Sequence, residues 1–372
     1  MSGLYVHIPF CKSRCIYCGF YSTVGLDLRQ QYVEALGKEM ELKSEKRKVK
    51  SDKVKTIYLG GGTPSQLTTE QLRQLFYNIY KVYGRDAEEI TIEMNPDDVT
   101  ETYAEALPEL GINRVSMGAQ TFDDKRLQFL HRRHRAEQVG VAVERLRKAG
   151  IRNISIDLMY GFPGETLDDW QRDIEAALAL NVEHISAYCL SIEENTPLWK
   201  MRNEKGEMRN DEELERQMYE VLIDRLTAAG YEHYEISNFA RPGYRSRHNA
   251  SYWHDVPYIG LGAAAHSYDG TCRSWNVADI RQYISAIERG ERPAEYETLD
   301  EDTRYNDRIT VALRTSDGLD LTTLSEKHRN YCLKEAQRYI SDGLLKRVDN
   351  RLVLTRKGLF VSDMVMSGLI YV

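Results

Sequence analysis

The sequence predicts an α/β protein: a partial (β/α)6 barrel followed by a smaller α+β domain of winged-helix type. Three observations carry that expectation. Across residues 1–192, six short β-rich runs alternate with longer helical patterns, the order of βα units around a parallel sheet. The alternation fades after residue 192. From about residue 300, helical patterns are followed by a hairpin.

The expected strands are LYVHI (4–8), TIYLG (56–60), EITIEM (89–94), NRVSMG (113–118), NISIDLMY (153–160) and HISAYCLSI (184–192). Thr68, with Gln71 three residues on, forms a capping box for an amphipathic helix over 68–83, and TLDDW opens another over 166–180. Six strands fall short of the eight of a closed barrel, which leaves an open side for a large substrate. A charged stretch over 200–217 leads into a helix ending near 229. The glycine- and aromatic-rich segment 237–270 reads as a site loop rather than a core element. Helices over 302–314, 320–329 and 331–342 precede GLLKRVDNRLVLTRKG, a hairpin turning at Asp349-Asn350. The expected domains are a barrel over 1–192, a central α/β extension over 193–300 and a C-terminal winged-helix-like domain over 301–372.

Of the 372 residues, 42% are hydrophobic, enough for a substantial core and more than one domain. The start of the chain has no basic region and no apolar run near 20 residues, so a cytoplasmic protein without a membrane span is expected, peripheral to the membrane only through partners. Six cysteines in a chain of this size do not make a disulfide framework; Cys189, Cys272 and Cys332 lie far apart and read as small buried hydrophobes. A net charge of -7 argues against a nucleic-acid coat. The tail over 319–358 carries a modest basic excess, which on a small helical domain is usually solvated, so no nucleic-acid partner is expected.

The remaining cysteines form a cluster. HIPFCKSRCIYCGF (7–20) spaces Cys11, Cys15 and Cys18 as C-x3-C-x2-C. Thiolates select soft metals, and three of them on one loop can hold three irons of a 4Fe-4S cube while leaving the fourth iron open to a substrate. A zinc knuckle is the competing reading, but structural zinc takes four ligands, usually from two cysteine pairs, and no second pair follows downstream. Strand ends supply further polar groups: GGGTPS (60–65), where glycines let main-chain groups approach a charged ligand, then Glu93, Gln120 and Asp157 on successive strands.

With Tyr17 just before the last cysteine, the loop resembles that of the radical S-adenosylmethionine superfamily. The resemblance implies a partial radical SAM barrel in which the open iron chelates S-adenosylmethionine. Within the superfamily the segments resemble the HemN-like branch of coproporphyrinogen dehydrogenases, over nearly the whole chain and including the C-terminal LTRKG. That likeness implies cofactor contacts from Tyr5, Tyr17, Gly61, Gly62, Thr63, Glu93, Gln120, Arg132 and Asp157, with Arg133 the neighbouring alternative to Arg132 in HRRHR (131–135).

Two departures separate the chain from the dehydrogenase. Phe20 stands where that enzyme's loop continues as C-x-C, and Cys11 comes almost at once where the enzyme carries a long preceding segment. Both match the HemW group of heme chaperones. HNASYW (248–253) also matches that group's H-N-x-x-Y-W motif, in which His248 can offer an imidazole to heme iron, with Asn249 beside it. Tyr252 and Trp253 offer flat faces to the porphyrin, and Arg245 or Arg247 can pair its propionates. A satisfied core histidine beside two aromatics is the plainer reading, and His254 and His266 are rival ligands. GLGAAA (260–265) resembles a dinucleotide fingerprint but lacks the βαβ context. The implied function is a heme chaperone with a 4Fe-4S cluster, S-adenosylmethionine and heme, delivering heme to apo-hemoproteins such as membrane respiratory complexes, as a monomer or homodimer. The alternative is an oxygen-independent coproporphyrinogen III dehydrogenase; whether S-adenosylmethionine is cleaved stays open.

Overall fold

A computed structural model describes residues 2–46, 53–205 and 211–372. Its strands are β1 Ser2–Ile8, β2 Val54–Gly61, β3 Glu89–Met94, β4 Arg114–Gln120, β5 Asn153–Tyr160, β6 His184–Cys189, β7 Glu232–Glu235, β8 Asn238–Ala240, β9 Tyr258–Leu261, β10 His266–Tyr268, β11 Cys272–Asn276, β12 Ala294–Thr298, β13 Leu319–Asp320, β14 Leu345–Val348 and β15 Arg351–Leu354. The first twelve form one sheet in the order β12-β11-β10-β9-β1-β2-β3-β4-β5-β6-β8-β7. Strands β1 to β6 run parallel, as the βα alternation requires. The sheet stays open between β12 and β7, but it is wider than the six strands expected, because short strands extend both edges.

Strand periodicity sorts the side chains. Leu4, Val6, Ile8, Ile57, Leu59, Ile90 and Ile92 lie on one face and pack into the main core with helices Arg29–Lys46 and Thr69–Tyr83. The other face is polar yet buried: Tyr5 and Tyr58 sit side by side in register, followed by Thr91 and Arg114. Buried polar groups demand partners, and Tyr58 finds one in Glu93, to which its hydroxyl donates at 2.8 Å. The capping box of Thr68 and Gln71 forms as the sequence predicts. Thr166 caps helix Leu167–Ala179 in the same way through Asp169.

The segment 237–270 is not the free loop expected. It supplies β8, β9, β10 and the helix Arg247–Trp253 to the main sheet. Gly260 makes this possible, since a β-carbon there would overlap the backbone of His266 where β9 and β10 cross. Buried Glu39 then locks the added strands to helix Arg29–Lys46. Its carboxylate accepts from Tyr283 Oη (2.6 Å), Asn276 Nδ2 (2.8 Å) and Gly262 N (2.8 Å), beside Lys43 at 3.2 Å.

Residues 305–369 have their own core, built from Tyr305, Ile309, Leu319, Tyr339, Leu352 and Leu369 among others. The helix expected over 320–329 is absent. Leu319 and Asp320 instead pair with β15, a 3-10 turn covers Leu321–Thr323, and Ser325 caps one helix, Glu326–Ser341, that runs through the expected break. Nothing between 326 and 341 breaks a helix, so propagation continues once the cap is set. Within the charged stretch 200–217, residues 206–210 lie outside the described residues; helices Pro197–Lys205 and Glu212–Ala228 flank them. No helix among the described residues is long and apolar enough to cross a membrane.

Candidate functional site

A cavity of about 790 Å³ opens at the carboxyl ends of the parallel strands. The loop after β1 forms one wall and carries Cys11, Cys15 and Cys18 into it, all three free and half-buried. The loop is pinned at both ends. Cys11 N donates to Thr23 O (2.9 Å) and Thr23 N to Pro9 O (2.7 Å), while Ile16 exchanges backbone bonds with Leu130 (3.3 Å) and Leu198 (3.0 Å). The loop also lies flat on the end of β2: Gly62 N donates to Ile8 O (2.9 Å) and Thr63 N to Phe10 O (2.8 Å). A β-carbon on Gly62 would stand 2.8 Å from the carbonyl carbon of Pro9. Gly61, at φ 107°, leaves room for the His7 ring. The glycines line the cavity, but their amides serve the protein, since Gly61 N donates to Glu93 (3.1 Å). They also let the cysteine loop pack closely on β2.

Thr63, Glu93, Gln120, Arg132 and Asp157 join the cysteines and Tyr17 in the cavity wall. Glu93 accepts from Tyr58 Oη at 2.8 Å. Burial pushes its carboxyl up to about 7, helped by Asp157 and opposed by the Tyr58 bond. Burial also raises Asp157, against hydrogen bonds from Ser186 and Ser116. Gln120 sits at a bulge ending β4, with φ 68°, a left-handed position that is rare for a side chain of its size and turns it to the cavity. Arg132 donates to Gly118 O (2.6 Å) and Asn95 Oδ1 (2.8 Å) and reaches Cys15 Sγ at 3.7 Å. Its neighbour Arg133 is taken by Asp97 and Asp98, each at 3.0 Å. The geometry therefore gives Arg132, not Arg133, to the cysteine loop.

Tyr5 does not line the cavity; it lies one layer below, its hydroxyl 3.0 Å from His7 Nδ1 and its ring beside Tyr58. Sequence reasoning passed over Asn95 and His134, although both lie in segments it singled out. His134 lines the cavity with Nδ1 unpartnered, and burial, aided by Arg132, lowers it to about 3. Cys189, expected as a core residue, also lines this cavity, because β6 ends there rather than at 192. Cys332 is fully buried as expected.

The HNASYW segment lies at the opposite, amino-terminal end of the strands. His248 is 0% exposed. Its Nδ1 pairs with Thr56 Oγ1 (2.9 Å), its Nε2 with Tyr252 Oη (2.9 Å), and burial lowers it to about 3. Glu89 accepts from the backbone N–H groups of Arg247 (3.0 Å) and His248 (2.9 Å), fixing the start of the helix. Asn249 N bonds Ser246 Oγ, and the Trp253 ring lies under Arg314. Arg245 pairs with Glu232 and Asp317, and Arg247 with Glu88. The imidazole expected to face a ligand lies buried in the barrel floor, with both nitrogens hydrogen-bonded. Its burial could not be read from the sequence, because its partners are distant: Thr56 is 192 residues away.

An open α/β barrel whose first loop presents three cysteines to a strand-end cavity defines a radical SAM protein, and the family described as Radical SAM superfamily matches residues 5–177. A second family, the HemN C-terminal domain, matches residues 299–361. Heme chaperone HemW of Bacillus subtilis is 34% identical, the match covering 99% of each chain. Heme chaperone HemW of Mycobacterium tuberculosis is 35% identical over 99% of this chain and 94% of its own. The chain belongs to the HemW family. Its fold is that of Escherichia coli coproporphyrinogen III oxidase (HemN), a radical SAM enzyme, with a TM-score of 0.85 at 23% identity over 99% of this chain and 89% of that one.

Proposed function

We propose that the protein is a heme chaperone: it holds a 4Fe-4S cluster through Cys11, Cys15 and Cys18, binds S-adenosylmethionine in the adjoining cavity, and carries heme to apo-hemoproteins. The observation that carries the cofactor part is the convergence of three half-buried thiols from one loop on a cavity walled by strand-end polar groups. Three thiols carried by one loop suit an inorganic core larger than a single ion. When bound, the cluster supplies single-electron chemistry to the sulfonium.

The chain's own residues do the rest. The guanidinium of Arg132 faces Cys15 and offsets thiolate charge there. Glu93 and Asp157 are acceptors for N–H and O–H groups of the nucleotide, and Gln120 offers an amide at the same rim. Tyr17 packs against Leu130, Met159 and Phe162 and keeps water from the back of the cysteine loop. Support for heme as cargo comes from the names of the relatives at 34–35% identity. Six cysteines without a disulfide among them fit a reducing, cytoplasmic setting. The separate core over 305–369 supports a C-terminal domain from 301 onward, beyond a barrel over 1–192 and an extension over 193–300.

Transfer of heme from the loaded, reconstituted protein to an apo-hemoprotein, followed by its Soret band, tests this function. Transfer should depend on the protein and outpace that from a non-chaperone heme donor. Conversion of coproporphyrinogen III to protoporphyrinogen at an enzymatic rate would overturn it.

A further inference from the structure

The HNASYW helix is closed from two sides. On the inner side His248 is buried, with Thr56 on one ring nitrogen and Tyr252 on the other. Iron binds an imidazole through a nitrogen lone pair, so this side chain must leave those partners before it can ligate heme. Inward movement is blocked, because the Tyr58 ring lies on the His248 ring. The helix has to move outward, and there the C-terminal domain stands in its way.

Residues 308–317 of that domain make the contacts. Asp255 turns the chain out of the helix at φ 56°, and its carboxylate accepts from Arg308 Nη2 at 2.6 Å and from Tyr268 Oη at 2.5 Å. Asp317 pairs with His254 (3.2 Å) and Arg245 (3.4 Å), and the Arg314 guanidinium lies 5.5 Å from the Trp253 ring centroid. These groups grip the motif at both ends. Next to them runs a backbone tie: Ile236 N donates to Arg314 O and Ser316 N to Tyr234 O, each at 3.0 Å. Elsewhere the domain meets the barrel through Phe360 edge-on to Tyr219 and through the Arg356–Asp224 and Arg273–Asp307 pairs. Among the described residues only Leu359 packs against both hydrophobic cores. An interface of partly exposed ion pairs with so little shared core parts readily about its backbone tie.

We infer that the C-terminal domain is a latch on the HNASYW helix: closed, it keeps His248 inside the barrel floor, and open, it lets the helix swing out and offer the imidazole to heme. The inference rests on the heme-carrier reading. Heme then binds only the open fraction, so whatever enlarges that fraction speeds binding. Stopped-flow mixing of hemin with the full-length protein, followed at the Soret band, tests it together with hydrogen exchange. Wild type binds saturably, with a histidine-ligated spectrum that His248→Gln loses. Arg308→Ala and Asp317→Asn each bind about three- to tenfold faster. In both, the amides of 247–253 exchange faster, while helix Glu326–Ser341 keeps wild-type protection and so reports a folded domain. Wild-type binding rates in both variants overturn the latch and leave the carrier reading standing, as does a histidine-ligated spectrum retained in His248→Gln. Absence of saturable binding in wild type sinks the carrier reading and the latch with it.

Discussion

The ring of Tyr58 lies on that of His248, centroids 5.1 Å apart and planes 26° from parallel, while its hydroxyl donates to Glu93 at 2.8 Å. One side chain thus spans from the strand-end cavity to the barrel floor. Tyr58→Phe keeps the stacking and removes the donor. Because that bond holds the Glu93 pKa down against burial, the variant's carboxyl titrates higher than about 7. S-adenosylmethionine affinity in wild type is expected to strengthen as pH rises through about 7, when Glu93 ionises and accepts from the ligand. In Tyr58→Phe this rise moves to higher pH, as calorimetric titration across pH would show. Superimposable profiles would remove Glu93 from the binding surface.

His248→Ala strands Thr56 Oγ1 and Tyr252 Oη in the floor and leaves a void under Tyr58. Stability should fall by about 2–4 kcal/mol in denaturant unfolding. The sign with pH follows from the imidazole, held in the fold at about 3, well below its ordinary range. Unfolded chains take up a proton near 6.5 that the fold refuses, so this contribution is full above about 6.5 and is lost as pH falls toward about 3. The deficit of the alanine variant therefore shrinks by about 1.4 kcal/mol per pH unit below about 6.5. A deficit that does not change with pH would contradict a buried neutral His248.

Gly62→Ala puts a methyl group 2.8 Å from the Pro9 backbone and lifts the cysteine loop from β2. Iron content after reconstitution should drop by half or more, roughly, while melting shifts by only a few degrees, because the loop lies outside the main core. Full iron loading in this variant would mean the loop needs no such seat.

Arg132→Lys keeps a charge but cannot reach Gly118 O, Asn95 and Cys15 together. About a tenfold loss of S-adenosylmethionine affinity is expected, against less than about twofold for Arg133→Lys, whose partners Asp97 and Asp98 accept a lysine. The reverse order would put the wrong arginine at the loop.

The six parallel strands and their capped helices were legible because each is specified locally, by period-2 runs ending in Gly, Asn or Pro and by caps such as Thr68 and Thr166. The cysteine loop was legible for the same reason. What escaped depends on partners far along the chain. Strands β9 to β12 have three to five residues each and are seated by Glu39, which is 237 residues from Asn276. The burial of His248 is decided by Thr56 and Glu89, so a motif that reads as an exposed loop forms a helix with its histidine inside. The Arg132 register could not be read from HRRHR, since only the fold brings Asp97 and Asp98 to Arg133.

Anaerobic reconstitution with iron and sulfide, followed by iron counting and EPR with and without S-adenosylmethionine, tests the central claim most directly. About four irons per chain, bound through Cys11, Cys15 and Cys18, are expected, with a signal that changes when the nucleotide is added. One tightly held zinc per chain, or a cluster signal indifferent to the nucleotide, would contradict it.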